Sequence, residues 1–232
     1  MAQQWTPGLN GCEIRRLSDA EAPDADALTL RNPDPFGVYL QARQPNFFEL
    51  CDAITASVCG RDDVLACLGA FVNGQLTGVA SLGRVNRDIA IGAIPDWDAL
   101  LEQHSEHDLN VCVTLWNDWT QAVIGAPHGS LCVQTLCVDA AYRRRGIATA
   151  LVGALIDLLP THGQSQLYME TMRTRSAVRF GRRLGFGVRR RTLSLSNRLR
   201  FGHWGTLLMV YSSGGRQRTT AAQQKTQGAG SP

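Results

Sequence analysis

Three arginines and a glycine stand at the mouth of an apolar helix in the stretch Asp139–Pro160, DAAYRRRGIATALVGALIDLLP. The chemistry open to such a group is anion binding. The first backbone N–H groups of a helix have no intrahelical acceptor, and the helix dipole makes that end positive. A phosphate or pyrophosphate is the natural occupant. Close approach to the backbone favours a residue without a β-carbon, Gly146, and a small residue two positions on, Ala148. Arg143, Arg144 and Arg145 add positive charge around them. Two other phosphate loops are excluded. G-x-x-x-x-G-K-[ST] is absent and the single lysine is Lys225 near the end of the chain; G-x-G-x-x-G is absent too.

Such a turn needs a strand before it and a helix after it. Residues 130–139, SLCVQTLCVD, read as that strand. Residues 165–172, SQLYMETM, read as a further strand, and 175–186, RSAVRFGRRLGF, as a further helix, so two βα units follow each other. Upstream, residues 64–85 form a hairpin in which two apolar runs flank Asn73-Gly74, a pair suited to a type I′ turn. Residues 12–18 read as a first strand, followed by a turn rich in Asp, Ala and Pro; residues 32–37, NPDPFG, read as a loop. Residues 46–59 have helical spacing, with Phe47, Leu50, Cys51, Ile54 and Val58 on one face and Asn46 as cap. Residues 96–125 read as two helices or one broken helix. Trp116 and Trp119 there fit a pocket for an aromatic or cationic amine, and the i, i+4, i+8 set Leu115, Trp119, Val123 fits a buried face. Residues 187–196 and 204–212 read as the last strands. The order predicts an α+β fold with a central mixed sheet of six to seven strands flanked by helices. One domain is expected over 11–213 with a helical insertion around 96–125, between an N-terminal tail (1–10) and a polar, disordered C-terminal tail (214–232).

Composition bounds the rest. The chain has 232 residues, 44% of them hydrophobic, which suits one domain. No apolar run reaches the roughly 20 residues of a membrane-spanning helix, and the N-terminus lacks the pattern of a signal peptide. The expectation is a cytoplasmic protein with no membrane partner. The seven cysteines contain no C-x-x-C pair and sit among apolar neighbours, so they read as reduced core residues, with no metal site. Charge is lopsided: residues 1–140 carry 7 arginines against 18 acidic residues, whereas residues 141–232 carry 16 basic residues against only Asp157 and Glu170. Such a basic half marks an anionic partner: a phosphorylated cofactor, nucleic acid or a membrane surface.

Arg143-x-x-Gly146-x-Ala148 resembles the Q/R-x-x-G-x-G/A signature of the GCN5-related N-acetyltransferase (GNAT) superfamily. About 30 residues on, AVRFGRRLGF (177–186) is similar to that family's second cofactor segment, A-x-x-L-Y-x-x-x-G-F. The hairpin and late strands also lie where the family has them. The resemblance covers roughly residues 12–213 and is strongest over 130–186. It implies a GNAT fold and acetyl-CoA as co-substrate. The pyrophosphate would lie on the N–H groups of Arg144, Arg145, Gly146, Ile147, Ala148 and Thr149, and the pantetheine arm beside Leu136, Cys137 and Val138. Cys137 would then be a backbone contact. Arg173, Arg175, Arg179, Arg182 and Arg183 lie near the second segment, where some could reach a ribose phosphate.

Catalysis is where the match departs. The family's tyrosine acid falls on Gly181, and an asparagine earlier in the segment is replaced by Thr174 or a neighbour. Arylalkylamine N-acetyltransferases carry two strand histidines where this chain has Cys132 and Gln134; His128 lies just before that strand. LYMET (167–171) resembles the L-x-L-E-V/T strand of protein N-terminal acetyltransferases, whose glutamate helps deprotonate the amine. Glu170 takes that role if the following loop has one extra residue, and Met169 takes the place if it has none. Adjacent strand residues face opposite ways, so the two registers exclude each other. Tyr168, two positions from Glu170 on the same face, is a candidate acid.

The resemblance therefore implies an N-acetyltransferase acting by direct attack of a primary amine, on a small molecule or on a protein or peptide. A non-catalytic acyl-CoA-binding sensor or scaffold is the alternative that Gly181 keeps open. Nucleic-acid binding through RRRTLSLSNRLR (189–200) is disfavoured by the scarcity of stacking aromatics. Homodimerisation stays open.

Overall fold

The computed structural model describes residues 11–32, 35–47, 49–51, 53, 64–85, 97–122, 125–202 and 204–213. Both expected tails lie outside these residues, as do Cys59 and the side chains of Trp116, Trp119 and Val123. The strands are β1 (Cys12–Arg16), β2 (Val64–Val72), β3 (Gln75–Arg84), β4 (Leu131–Val138), β5 (Gln166–Met172), β6 (Gly187–Arg191) and β7 (Thr206–Ser212). They form one seven-stranded sheet in the order β1-β2-β3-β4-β5-β7-β6, antiparallel except where β4 runs parallel to β5. The expected mixed α+β sheet is therefore present. Asn73 and Gly74 both have positive φ, 51° and 78°, as the β2–β3 turn requires.

The helices are α1 (Ala22–Arg31), α2 (Pro35–Gln41), α3 (Trp97–Gln103), α4 (Glu106–Ala122), α5 (Ile147–Asp157), α6 (Arg175–Arg183) and α7 (Leu195–Phe201); residues 47, 49–51 and 53 are helical too. The expected interruption within 96–125 falls between α3 and α4. Three readings are corrected. The turn expected after β1 contains α1, whose proline occupies the first helical turn, where no intrahelical N–H is needed. The loop expected at 32–37 contains the start of α2. The strand expected at 187–196 ends at Arg191, because Ser194 caps α7 by accepting the Asn197 N–H at 3.1 Å.

The sheet divides the core. On one face α5 and α6 cover Leu68, Ala80, Leu131, Leu167, Met169, Leu207 and Met209. On the other face α1 buries Ala25 and Leu28 against Val79 and Cys137. A separate helical cluster joins Leu40, Phe47, Leu50, Cys51, Leu100, Leu109, Cys112 and Leu115. Each fully buried leucine contributes roughly 1.5–3 kcal/mol.

Candidate active site

The turn from β4 into α5 is built by local chemistry and one distant brace. Asp139 caps its first part by accepting the Ala141 N–H at 2.9 Å. Arg144 has φ 63° and Gly146 φ 87°. The left-handed conformation costs a side-chain-bearing residue roughly 1–2 kcal/mol, so Gly146 suits its place and Arg144 stores strain. The first bond into α5 is Ala150 N–H to the Gly146 carbonyl at 3.0 Å. Among the described residues, none of the N–H groups from 144 to 149 has a protein acceptor. Arg144, Arg145, Gly146 and Thr149 are exposed. The turn thus presents a positive, unsatisfied cluster to solvent, and its donor set fits a diphosphate.

The three arginines differ in what they do. Arg143 donates to the Val138 carbonyl at 3.1 Å and to Asn32 Oδ1 at 3.2 Å. Asn32, at the end of α1, also accepts the Ala140 N–H at 3.1 Å. Arg145 donates to the Ala141 carbonyl at 3.2 Å, with its guanidinium 5.0 Å from the Tyr142 ring centre. Arg143 and Arg145 brace the turn, and Asn32 is a supporting residue that local sequence reading missed: its partners are 108 and 111 positions away.

Next to this turn the sheet forks. β4 and β5 share only two register pairs, Cys132–Tyr168 and Val133–Met169. Beyond them β4 continues to Val138 on β3, while β5 continues to Met172 on β7. Among the described residues, β4 has no strand partner on its β5 side from residue 134 onward. A bulge lies at the fork: Leu82 pairs with Val133 and Ser81 with Thr135, which leaves Gln134 unpaired. The Thr135 N–H donates instead to Ser81 Oγ at 3.0 Å. The bulge resets the alternation, so that Leu131 and Val133 share the α5 face with Leu136 and Val138. Cys137 faces α1 and is buried, which pushes its thiol up. An open strand edge of this kind offers donors and acceptors to an extended amide-bearing chain.

Glu170 follows Met169, the last residue of β5 that pairs with β4. Met169 points into the α5–α6 core at 5% exposure, so Glu170 takes the opposite face. That face carries Cys132, Tyr168, Leu208 and Val210. Glu170 Oε1 is shielded from solvent. Its charge is felt by Cys132, whose thiol is pushed up to about 12, first by burial and then by the neighbouring carboxylate. Tyr168 is buried, and its hydroxyl donates to Gln166 Oε1 at 3.1 Å, towards the start of β5. His128 is exposed in the turn before β4, and Arg173, Arg175, Arg179, Arg182 and Arg183 are all exposed.

The departures from the second segment have physical causes. Thr174 caps α6 by accepting the Ala177 N–H at 3.1 Å. Gly181 is buried: a β-carbon there would lie 2.6 Å from Met209 Cε and 3.2 Å from Met169 Cε. The helix packs closely on the sheet at this point, against the tips of two methionine side chains. Among the described residues, no group of three or more His, Cys, Asp or Glu side chains is placed to hold a metal ion.

The profile of the acetyltransferase (GNAT) family matches residues 25–186. No curated protein matches the chain. Among solved structures, arylalkylamine N-acetyltransferase 2 from Aedes aegypti is similar at 16% identity and TM-score 0.57, covering 88% of this chain and 100% of that one. A histone acetyltransferase and related acetyltransferase from Corynebacterium glutamicum is similar at 14% identity and TM-score 0.56, over 86% and 94%. An agmatine N-acetyltransferase in its apo form is similar at 14% identity and TM-score 0.53, over 88% and 100%. At these identities the likeness is one of fold.

Proposed function

The chain belongs to the acetyltransferase (GNAT) family, and from that premise we propose that it transfers an acetyl group from acetyl-CoA to a primary amine carried by a small molecule, a protein or a peptide. The observation that supports this is one juxtaposition. A cluster of unsatisfied N–H groups at Gly146 adjoins a strand edge that opens at the fork, and Glu170 stands at the fork.

In this reading the N–H groups of Arg144 to Thr149 hold the diphosphate, while Arg143 and Asn32 keep the turn in shape. The free edge of Leu136, Cys137 and Val138 holds the amide-bearing arm. Acetyl-CoA supplies an acyl group activated as a thioester. Attack requires a neutral amine, and in this reading Glu170 takes its proton. The Tyr168 hydroxyl, committed to Gln166, orders the face beside it. The buried Gly181 favours one second reading, an acyl-CoA-binding domain without turnover, since the hydroxyl that would protonate the departing thiolate is missing there.

Thermal unfolding with and without acetyl-CoA tests the cradle. Both acetyl-CoA and CoA should raise the midpoint, and Gly146→Glu should abolish the rise by placing bulk and negative charge against the turn. A folded Gly146→Glu protein that still responds normally would sink the reading. Release of free thiol across a panel of primary amines tests turnover, with arylalkylamines and agmatine as first choices. Glu170→Gln should lower kcat about 100-fold while leaving the acetyl-CoA shift intact. Binding without thiol release from any acceptor would favour the second reading.

A further inference from the structure

The proposed activity leaves one basic stretch unused, the connection between β6 and β7. Among the described residues β6 is the outer strand of the sheet, paired only with β7. Beyond Arg191 the two arms stay bonded, Thr192 N–H to the Thr206 carbonyl at 3.0 Å and Ser194 N–H to the Trp204 carbonyl at 2.9 Å. Between these arms sits α7, fastened by its Ser194 cap and by Asn197, which is 3% exposed. The connection is therefore built and anchored, and α7 also packs against α2. Its outward side chains are Leu193, Leu195, Leu199 and Trp204, exposed by 72%, 63%, 78% and 51%. These four are half of the large apolar side chains exposed among the described residues.

Arginines surround them. Arg189, Arg190, Arg191 and Arg198 are all exposed. Among the described residues the ion pairs all involve Arg15, so none neutralises this patch. The only acidic residues after position 140 are Asp157, at the end of α5, and Glu170. A second copy of the chain is a poor occupant, because strand edges lined with arginine repel each other. A duplex nucleic acid would satisfy the arginines and leave the leucines in water. Leucine and tryptophan ringed by arginine instead match the boundary between lipid headgroups and acyl chains.

We propose that the exposed face of the β6–α7–β7 connection docks on an anionic lipid surface. Leu193, Leu195, Leu199 and Trp204 enter the interfacial layer, and Arg189, Arg190 and Arg191 face acidic headgroups. The expectation of no membrane partner rested on the lack of a spanning segment, and among the described residues no helix is long and apolar enough to cross a membrane. A surface contact needs none.

Cosedimentation of the full chain with phosphatidylcholine vesicles, with or without phosphatidylserine, tests this. The wild type should pellet with the anionic vesicles and release with added salt. The triple variant Arg189→Ala, Arg190→Ala, Arg191→Ala should lose about 100-fold in affinity for them. Leu195→Ser with Leu199→Ser should also bind weakly while keeping the wild-type melting curve and acetyl-CoA response. No pelleting by the wild type, or pelleting indifferent to either variant, overturns the proposal. So does equal binding to polyglutamate or duplex DNA, which would mean that charge alone is read. So does a dimer in sedimentation equilibrium that either variant dissociates.

Discussion

Cys132 lies beside the proposed base, and its chemistry follows from burial. A thiol reacts as its thiolate. With its acid strength pushed down until it titrates at about 12, Cys132 stays protonated at neutral pH. A covalent acetyl-cysteine there is therefore disfavoured, and Cys132→Ala should retain turnover within a few-fold. Iodoacetamide labelling, read by peptide mass spectrometry, should leave residue 132 essentially untouched below about pH 10. Glu170→Gln removes the smaller of the two causes, so labelling should begin at lower pH, though still above the range of a free thiol. Loss of turnover in Cys132→Ala with the fold intact would instead make the thiol a participant. Gly146 and Glu170 differ in how legible they were for a related reason. The demand for an unsatisfied, close-approaching backbone is local to one turn and can be read from residues 143–148. The side to which Glu170 faces depends on the pairing of β5 with two other strands, which neighbouring residues do not encode.

Among the elements, the hairpin, β4, α5, β5 and α6 could be read because apolar periodicity and turn residues agree in each. α1 could not, because its sequence, APDADALTLR, is short of apolar residues and rich in turn formers. The turn leading into it, Asp19–Glu21, is held by a capping box and a bridge. Ser18 donates from its N–H and hydroxyl to Glu21 at 2.9 and 2.7 Å, and Arg15 on β1 donates to Glu21 at 2.6 and 2.9 Å. These contacts hold the Glu21 carboxyl well below the usual carboxylate range, the Arg15 hydrogen bond most of all. A depressed folded-state value means that the contribution is complete above the unfolded value of about 4.3 and fades as pH falls through the folded one. Glu21→Gln should therefore be less stable than wild type at neutral pH, with the gap closing in strong acid. Urea midpoints across an acid series check this; a gap constant with pH would assign the loss to packing. α7 escaped reading in a different way. LSLS alternates as a strand would, but the serine at 194 serves as a cap.

At the scale of the whole molecule, two of the apolar clusters differ in standing. One joins the sheet to α5 and α6 and carries the anion-binding turn on its surface. The other joins α2, the helical residues Phe47, Leu50 and Cys51, α3 and α4 among themselves. It is tied by the buried Cys51 and Cys112, whose sulfurs lie 3.5 Å apart, and by Gln44, which donates to Asp108 at 3.1 Å. Composition implied a core of ample size, but not that it would be divided, since that depends on which helices share a face of the sheet. The division predicts separable instability. Leu109 is fully buried in the helical cluster and Leu155 in the sheet core, and truncation of either should cost about 2–5 kcal/mol. In Leu109→Ala the loss should be local, with faster amide exchange along α4, slow exchange kept in β4 and α5, and an unchanged acetyl-CoA shift. In Leu155→Ala the loss should be global, with the midpoint lowered for every amide and the shift weakened. Hydrogen exchange by mass spectrometry distinguishes the two. If Leu109→Ala loosens α5 as much as α4, the clusters unfold as one unit and the helical layer is not an independently yielding part of the molecule.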